Sequence, residues 1–180
     1  MAQWNFDPAH SNAEFSVRHM MVTNVRGTFD KVSGTLDFDP ANPAAARVEA
    51  TIEAASISTG AEDRDNHLRS ADFFDVEKFP TITFKSTSVE PTGDESARIT
   101  GELTMRGVTR TITIDAEYLG QGPSPFGDVR AGFEGTVKIN REDFGLTWNQ
   151  ALESGGVLVG KEVKITLNVQ AVMASEAEMA

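Results

Sequence analysis

Three histidines are the side chains in this sequence best suited to binding a metal ion or moving protons. His10, His19 and His67 are far apart along the chain, so none of them forms the local ligand pair that zinc sites commonly use. The sequence also contains no cysteine, which excludes thiolate ligands, disulfides and a cysteine nucleophile. We therefore predict no metal site and no cofactor in this protein.

A stretch near the carboxyl end matches the spacing of a phosphate-binding loop. Residues 155–161 contain the pattern Gly-x-x-x-x-Gly-Lys. The next residue is Glu162, which repels phosphate and lacks the hydroxyl that binds magnesium. The alternating sequence from Val163 onwards predicts a strand where the motif needs a helix. We therefore do not interpret the pattern as a nucleotide site.

Serine hydrolases often place their nucleophile in a sharp turn with the sequence Gly-x-Ser-x-Gly. The most similar segment, 122–126, has a proline on each side of Ser124 and no second glycine. Catalytic triads are defined by geometry and not by sequence order, so serine catalysis on another scaffold stays open. The residues themselves indicate no catalytic group, and we expect a binding protein and not an enzyme.

Basic side chains form two groups that could bind an anion. Arg64 and His67 are one turn apart on a predicted helix, and His19 and Arg26 flank a predicted turn between strands. At the opening of a cavity, such groups would bind an anionic head group.

The alternative for these cations is local ion pairing. Asp63 and Asp65 are close enough in sequence to neutralise Arg64, and Asp65 can pair with Arg69 one turn further on. The sequence favours pairing for Arg69 and leaves both alternatives open for Arg64.

Composition narrows the class of protein. The chain has 180 residues, of which 39% are hydrophobic and 24% charged, values typical of a single globular domain. Its net charge of -11 repels phosphate groups and disfavours a general binder of nucleic acid or anionic membranes. No stretch is apolar over the length of a membrane helix, and the amino end lacks the features of a secretory signal. We therefore expect a cytoplasmic protein without stable membrane insertion.

Hydrophobic and polar residues alternate along most of the chain, which is typical of strands with one buried face. Segment 163–171 is a clear example, with Val163, Ile165 and Leu167 on one side and Lys164 and Thr166 on the other. We predict about eight strands. They cover residues 12–18, 25–38, 48–54, 81–89, 99–105, 111–119, 129–139 and 163–171.

One short helix is predicted near residues 60–70. Thr59 and Glu62 have the spacing of a capping box, which marks a helix start. The residues that follow are polar on nearly every side apart from Leu68, so the helix must lie on the surface. Phe73 and Phe74 are its other expected apolar contacts.

Long alternating strands with one helix leave two antiparallel architectures, the sandwich and the closed barrel. A barrel of about eight strands can hold one small ligand. Small residues on the inner faces, such as Ala50, Gly101 and Gly135, either leave such a space or merely accommodate the 11 phenylalanines. Periodicity alone keeps both alternatives open.

An ordered set of segments resembles the YceI-like family, the bacterial polyisoprenoid-binding proteins with a lipocalin-like barrel. The matching segments are residues 7–19, 25–29, 65–75, 79–86, 101–109 and 141–146. The resemblance implies an all-β fold, an extended eight-stranded antiparallel lipocalin-like barrel whose apolar lumen holds a long isoprenoid or similar amphiphile. It also implies a homodimer, and many relatives are periplasmic. We expect one domain over residues 4–173 and a flexible acidic tail over 174–180.

These observations predict a carrier that stores or transports a long prenyl or acyl chain, with no nucleic-acid partner. The residues expected to line the lumen are Phe15, Val17, Ile52, Phe84, Leu103, Ile114, Phe133, Val137, Ile165 and Leu167. The residues expected at the mouth, near the head group, are His19, Arg26, Arg64, His67, Phe73, Phe74 and Trp148.

Two alternatives belong to other classes. A lipid-modifying hydrolase or isomerase on the same barrel predicts a histidine in contact with a carboxylate and a serine inside the cavity. A stress-response interaction module with a filled barrel predicts no cavity larger than a cluster of waters.

Overall fold

The computed structural model describes residues 2–150, 152 and 158–175, and strands dominate this part of the chain. The single α-helix in these ranges is α1 (Glu62–Arg69), and short 3-10 turns separate several strands. The strands are β1 (Ala2–Phe6), β2 (Asn12–His19), β3 (Thr23–Phe29), β4 (Val32–Phe38), β5 (Arg47–Glu53), β6 (Ile57–Ser58), β7 (Thr81–Pro91), β8 (Ser96–Met105), β9 (Val108–Pro123), β10 (Val129–Asn140) and β11 (Val159–Met173).

These eleven segments form eight long strands of one closed antiparallel barrel. The β1–β2, β3–β4 and β5–β6 pairs each continue one long strand across a short break. β11 closes the ring because it pairs with β10 along one edge and with both β1 and β2 along the other. The predicted eight-stranded antiparallel barrel is therefore confirmed.

The sequence missed the first strand, which precedes the predicted start at residue 12. In β1, Trp4 and Phe6 point inward and are buried, and the indole Nε1 of Trp4 donates to the carbonyl of Phe38 at 3.3 Å. Only two inward residues define this strand, too few for periodicity to reveal it.

The two ends of the barrel differ, and we call them the mouth end and the closed end. The mouth end carries the β2–β3 turn, the segment 54–80 that contains α1, the β8–β9 turn and residues 141–150. The closed end carries the β4–β5, β7–β8 and β9–β10 connections. Here the rings of Phe38, Tyr118 and Phe133 pack together with centroids 5.1–5.5 Å apart and block the barrel.

Helix α1 starts later than the predicted capping box. Its N-cap is Ala61, which makes no side-chain cap, so the capping-box prediction was wrong. The buried carboxylate of Asp65 instead accepts from the backbone N–H of Thr59 at 2.8 Å and from its hydroxyl at 2.5 Å. The helix therefore bonds back to the chain just after β6.

Arg69 anchors the other end of α1. It donates to the carbonyls of Ala55 and Ile57 at 3.0 and 2.9 Å, so the predicted pairing with Asp65 was wrong. Since β6 is the edge strand that α1 contacts, these bonds fasten the helix over that edge.

The structure describes only parts of the expected tail (174–180) and of the Gly-x-x-x-x-Gly-Lys pattern (155–161). Ala174, the first residue of the expected tail, is buried and donates to the carbonyl of Gln3 at 2.8 Å, while the domain boundary and the flexibility of the tail stay predictions. Residues 176–180 lie outside the described residues, as do residues 155–157 of the Gly-x-x-x-x-Gly-Lys pattern. The strand predicted over 163–171 after this pattern is confirmed, because β11 runs over Val159–Met173.

Glycines on the inner faces seat phenylalanine rings against the barrel wall. A Cβ added at Gly27 would lie 2.5 Å from the Phe15 ring, and one added at Gly101 would lie 2.6 Å from the Phe84 ring. At Gly101 the prediction that a small inner-face residue accommodates a phenylalanine ring is therefore correct. Because the rings lie on the wall beside glycine, they leave the centre of the barrel free.

We expect Gly27→Ala to lower the free energy of unfolding by about 1–3 kcal/mol, because the new methyl group overpacks the wall. It would also lie 2.8 Å from the backbone oxygen of Ser58, which cannot move freely. Gly122→Ala is the matched control, since nothing lies within 4 Å of a Cβ there. Urea denaturation measures both variants, and equal stability of the two would contradict this packing.

The break between β1 and β2 is stabilised by the carboxylate of Asp7. It accepts from the Ala9 N–H at 3.0 Å, lies 2.8 Å from the His10 Nδ1, and accepts from Arg130 at 2.6 Å. The bonds from His10 and Arg130 hold the pKa of Asp7 below its usual value, with partial burial opposing them.

A lowered pKa means that ionised Asp7 stabilises the fold above the unfolded-state pKa of about 3.9, and that this contribution disappears as the pH falls further. We expect Asp7→Asn to cost about 1–2 kcal/mol at neutral pH. The difference from wild type should shrink below about pH 4 in urea denaturation. Asp94→Asn, at an exposed turn, is the control and should show neither effect. A pH-independent difference for Asp7→Asn would refute the assignment.

Candidate functional site

A cavity of about 340 Å³ occupies the interior of the barrel. This volume lies within the range of small-molecule sites, roughly 300–1,000 Å³. Its wall is almost entirely hydrocarbon, contributed by inward side chains of all eight long strands. The cavity runs from the Phe133 ring at the closed end to α1 and Trp148 at the mouth end.

The barrel is hollow because its inward side chains do not meet across the centre. Ile52, Phe84, Ile165 and Leu167 point inward from a closed ring of strands, yet each remains only partly buried. In a filled core such residues would be close-packed and inaccessible. The cavity therefore contradicts the filled-barrel alternative.

All ten residues predicted to line the lumen do line this cavity. Leu103 and Ile114 are buried in the wall itself, and the other eight retain exposed surface toward the space. The ten are Phe15, Val17, Ile52, Phe84, Leu103, Ile114, Phe133, Val137, Ile165 and Leu167. Their contact with a ligand stays a prediction.

Three aromatic rings from distant parts of the chain meet at the mouth end. His67 lies edge-on to both Phe73 and Trp148, with centroids 5.1 and 4.7 Å away, and the latter two rings are 5.4 Å apart. The Nε2 atom of His67 lies 2.8 Å from a carboxylate oxygen of Asp72. We call His67, Phe73 and Trp148 the mouth cluster.

A second aromatic contact continues from the mouth cluster toward the wall. Phe74 lies edge-on to Phe29 at 5.6 Å, and Phe29 lies 5.6 Å from Phe15. Both phenylalanines after α1 therefore cover the cavity, and α1 itself contributes Leu68.

The structure brings together six of the seven residues predicted at the mouth. His19, Arg64, His67, Phe73, Phe74 and Trp148 all line the cavity. Arg26 does not, so its placement was wrong: its neighbour Val25 points inward, and strand alternation puts the exposed Arg26 on the outer face.

The guanidinium of Arg64 is held by neither of its predicted acidic partners. It donates to the hydroxyl and the carbonyl of Thr59, at 2.7 and 2.8 Å. Among the described residues, no carboxylate binds the Arg64 guanidinium at the mouth end.

Arg141 is a mouth residue that sequence reasoning missed. It is 4% exposed, lines the cavity, and donates to four backbone carbonyls at 2.6–3.2 Å. The acceptors are Leu146, Trp148, Val159 and Gly160. Burial lowers the pKa of Arg141 from its ordinary value, with the charge of Glu142 opposing the shift.

The carbonyls around Arg141 join two segments that flank the opening. This guanidinium bridges residues 146–148 and 159–160 and so helps to position Trp148 in the mouth cluster. The side-chain amide of Asn149 adds two bonds to the backbone of Val159, at 2.7 and 3.0 Å. Such a cage of carbonyls comes from separate parts of the chain, so no local sequence signal reveals it.

The cavity contains part of what the enzyme alternative requires. His67 contacts a carboxylate at the mouth, whereas no serine of the described residues lines the cavity. Within residues 2–150, 152 and 158–175, no three His, Asp or Glu side chains are arranged to hold a metal ion. No described helix has the length and apolar character needed to cross a bilayer.

We expect Arg141→Lys to lower the free energy of unfolding by about 3 kcal/mol, because an ammonium cannot replace the planar donor set. Acrylamide should also quench Trp148 more strongly, measured in a Trp4→Phe background. Arg110→Gln is the control, since the exposed Arg110 donates to a single carbonyl, that of Asp143. Unchanged quenching in Arg141→Lys would show that Arg141 does not position Trp148.

Comparison with known proteins identifies the family of this chain. Residues 4–171 match the YceI-like domain. A UPF0312 protein of Staphylococcus aureus (strain MSSA476) is 40% identical over 171 residues, covering 94% of this chain and 97% of that protein.

Two solved structures share the architecture. BcnA of Burkholderia cenocepacia superposes with a TM-score of 0.81 at 27% identity, over 92% of this chain and 98% of its own. A polyisoprenoid binding domain from Saccharophagus degradans, implicated in plant cell wall breakdown, has a TM-score of 0.71 over 97% of this chain and all of its own. At 14% identity, the second likeness concerns the fold alone. The chain belongs to the YceI-like family.

Proposed function

We propose that this protein binds a long isoprenoid or similar amphiphilic lipid inside the barrel, for storage or transport. The observation that carries the proposal is an apolar cavity of about 340 Å³ in a closed barrel whose inward side chains remain partly exposed. Exposed hydrocarbon in a protected space is costly in water and is stabilised by an apolar guest.

The driving force for binding is burial of hydrocarbon, about 25 cal/mol for each Å² removed from water. This force is non-directional, so the wall selects an apolar chain of suitable width and tolerates differences in its length. That the Saccharophagus degradans neighbour is described as polyisoprenoid binding is consistent with a prenyl chain.

The difference between the two ends sets the orientation of the lipid. Phe38, Tyr118 and Phe133 block the closed end with rings, so the hydrocarbon tail enters first. The polar groups of Arg64 and His67 lie at the opposite end, where a head group would contact them.

The first test identifies the cargo directly. The protein is purified from its host, extracted with organic solvent, and the extract is analysed by mass spectrometry. We expect a long-chain lipid near one per chain, released chemically unchanged. A clean extract together with no uptake of added prenyl alcohols would refute the proposal, and conversion of an added prenyl ester would favour the enzyme alternative.

A second test fills the cavity from within. Leu167→Trp places a larger side chain into the space, and we expect it to weaken binding of a fluorescent prenyl probe by at least about tenfold, or ~1.4 kcal/mol. Lys164→Trp is the matched control, because Lys164 lies on the outer face of the same strand. Wild-type affinity in a folded Leu167→Trp variant would show that the lipid binds elsewhere.

Two further expectations stay predictions. The homodimer implied by the family resemblance is tested by light scattering at several protein concentrations. The cytoplasmic location is tested by fractionating cells that express the protein at native level.

A further inference from the structure

The turn between β2 and β3 presents three exposed apolar side chains in succession. Met20, Met21 and Val22 are 48%, 55% and 73% exposed, and we call these three residues the tip. The tip adjoins the mouth end of the cavity, since the Met20 N–H donates at 2.7 Å to the carbonyl of Leu158, which lines the cavity. None of the three side chains lines the cavity itself.

The backbone of the tip is unfavourable for the residues that occupy it. Met20 and Met21 have φ angles of 53° and 66°, in the left-handed region that favours glycine and asparagine. An Asn-Gly pair would form this turn with less strain. The strained methionines therefore have no advantage for folding, and their exposed apolar side chains suit contact with an apolar surface.

Unpaired positive charges flank the tip. Arg18 and Arg26 are exposed, and within the described part of the chain their side chains make no hydrogen bond or ion pair. No acidic residue occurs between Phe15 and Phe29. The tip is thus an apolar protrusion with cations on both of its strands.

The closed end also has an exposed apolar side chain, Phe126, but its turns are acidic, whereas the tip has no acidic neighbour on its two strands between Phe15 and Phe29. The turns there carry Asp39, Asp94, Glu95 and Asp128, so part of the net charge of -11 lies far from the opening. The net charge disfavours general attraction to phosphate, but contact at short range depends on the local charges because salt screens distant ones.

We propose that the tip docks on the surface of an anionic phospholipid bilayer and turns the cavity opening toward the lipid. The proposal rests on the proposed function for its purpose, because a prenyl cargo resides in membranes and must enter or leave at this end. A bilayer fits better than a protein partner, since the tip is a convex protrusion beside an opening and its apolar and cationic groups match acyl chains and phosphates. Three apolar side chains suit reversible docking and not insertion.

Vesicle co-sedimentation tests the docking. Wild type is expected to bind vesicles of phosphatidylcholine with phosphatidylglycerol, to bind pure phosphatidylcholine weakly, and to dissociate as salt is raised. Met20→Asn/Met21→Gly/Val22→Ser should reduce the partition coefficient by about tenfold or more. The first two substitutions favour the native turn, so loss of binding cannot be attributed to misfolding.

Two matched controls at the closed end test whether position matters. Phe126→Ser removes an apolar side chain that is 81% exposed, and we expect it to leave vesicle binding unchanged. Arg26→Gln should weaken binding to the anionic vesicles, whereas Arg47→Gln, exposed at the start of β5, should not. Equal losses at both ends would overturn the assignment to the tip.

Failure of docking and failure of cargo binding give different results. The tip variant should bind a soluble fluorescent prenyl probe as wild type does, because the tip does not line the cavity. Wild type that binds the probe but no vesicle would overturn docking and leave the proposed function intact. Unchanged vesicle binding by the tip variant, or capture of a protein by the tip without vesicle binding, would likewise overturn docking.

Discussion

Closure of the barrel by β11 is the interaction on which the rest of the structure depends. This strand pairs with β10 along its length, while its other edge is shared by β2 and β1. Once the ring is closed, strand number and tilt set its diameter, and side chains from opposite walls need not touch. An open sheet with the same apolar face would have to bury that face against a second layer of structure. The space that forms the cavity would then be filled.

Four of the eleven phenylalanines show two different roles in this arrangement. Two of them, Phe15 and Phe84, pack against inner-face glycines and thicken the wall. Others, Phe38 and Phe133, meet across the barrel with Tyr118 and block one end. Phenylalanine usually fills a dense core. Here it can line a cavity, because its rings pack against glycines in the barrel wall.

The mouth end combines features that the closed end lacks. Buried Arg141 joins the two segments beside the opening, while Asp65 and Arg69 fasten α1 over the edge strand β6. These hydrogen bonds fix the positions of α1 and of residues 146–148 and 159–160 at the mouth end. The apolar tip and its unpaired arginines extend the same end outward.

Sequence periodicity identified the strands other than β1 and β6, and the inward residues along them, because alternation is a local property of extended backbone. Arg26 shows the limit of an argument that ignores this alternation: it was expected at the mouth because it flanks a turn, whereas inward Val25 puts its neighbour Arg26 on the outer face. Whether inward residues such as Leu167 and Ile52 interlock or leave a cavity depends on the separation of strands distant in sequence. The carbonyl cage of Arg141 also depends on contacts between distant parts of the chain. Thr59 was expected to cap helix α1, but its hydroxyl donates to the carboxylate of Asp65 instead. Local pattern determines which face a side chain is on, and only the closed ring decides what it meets there.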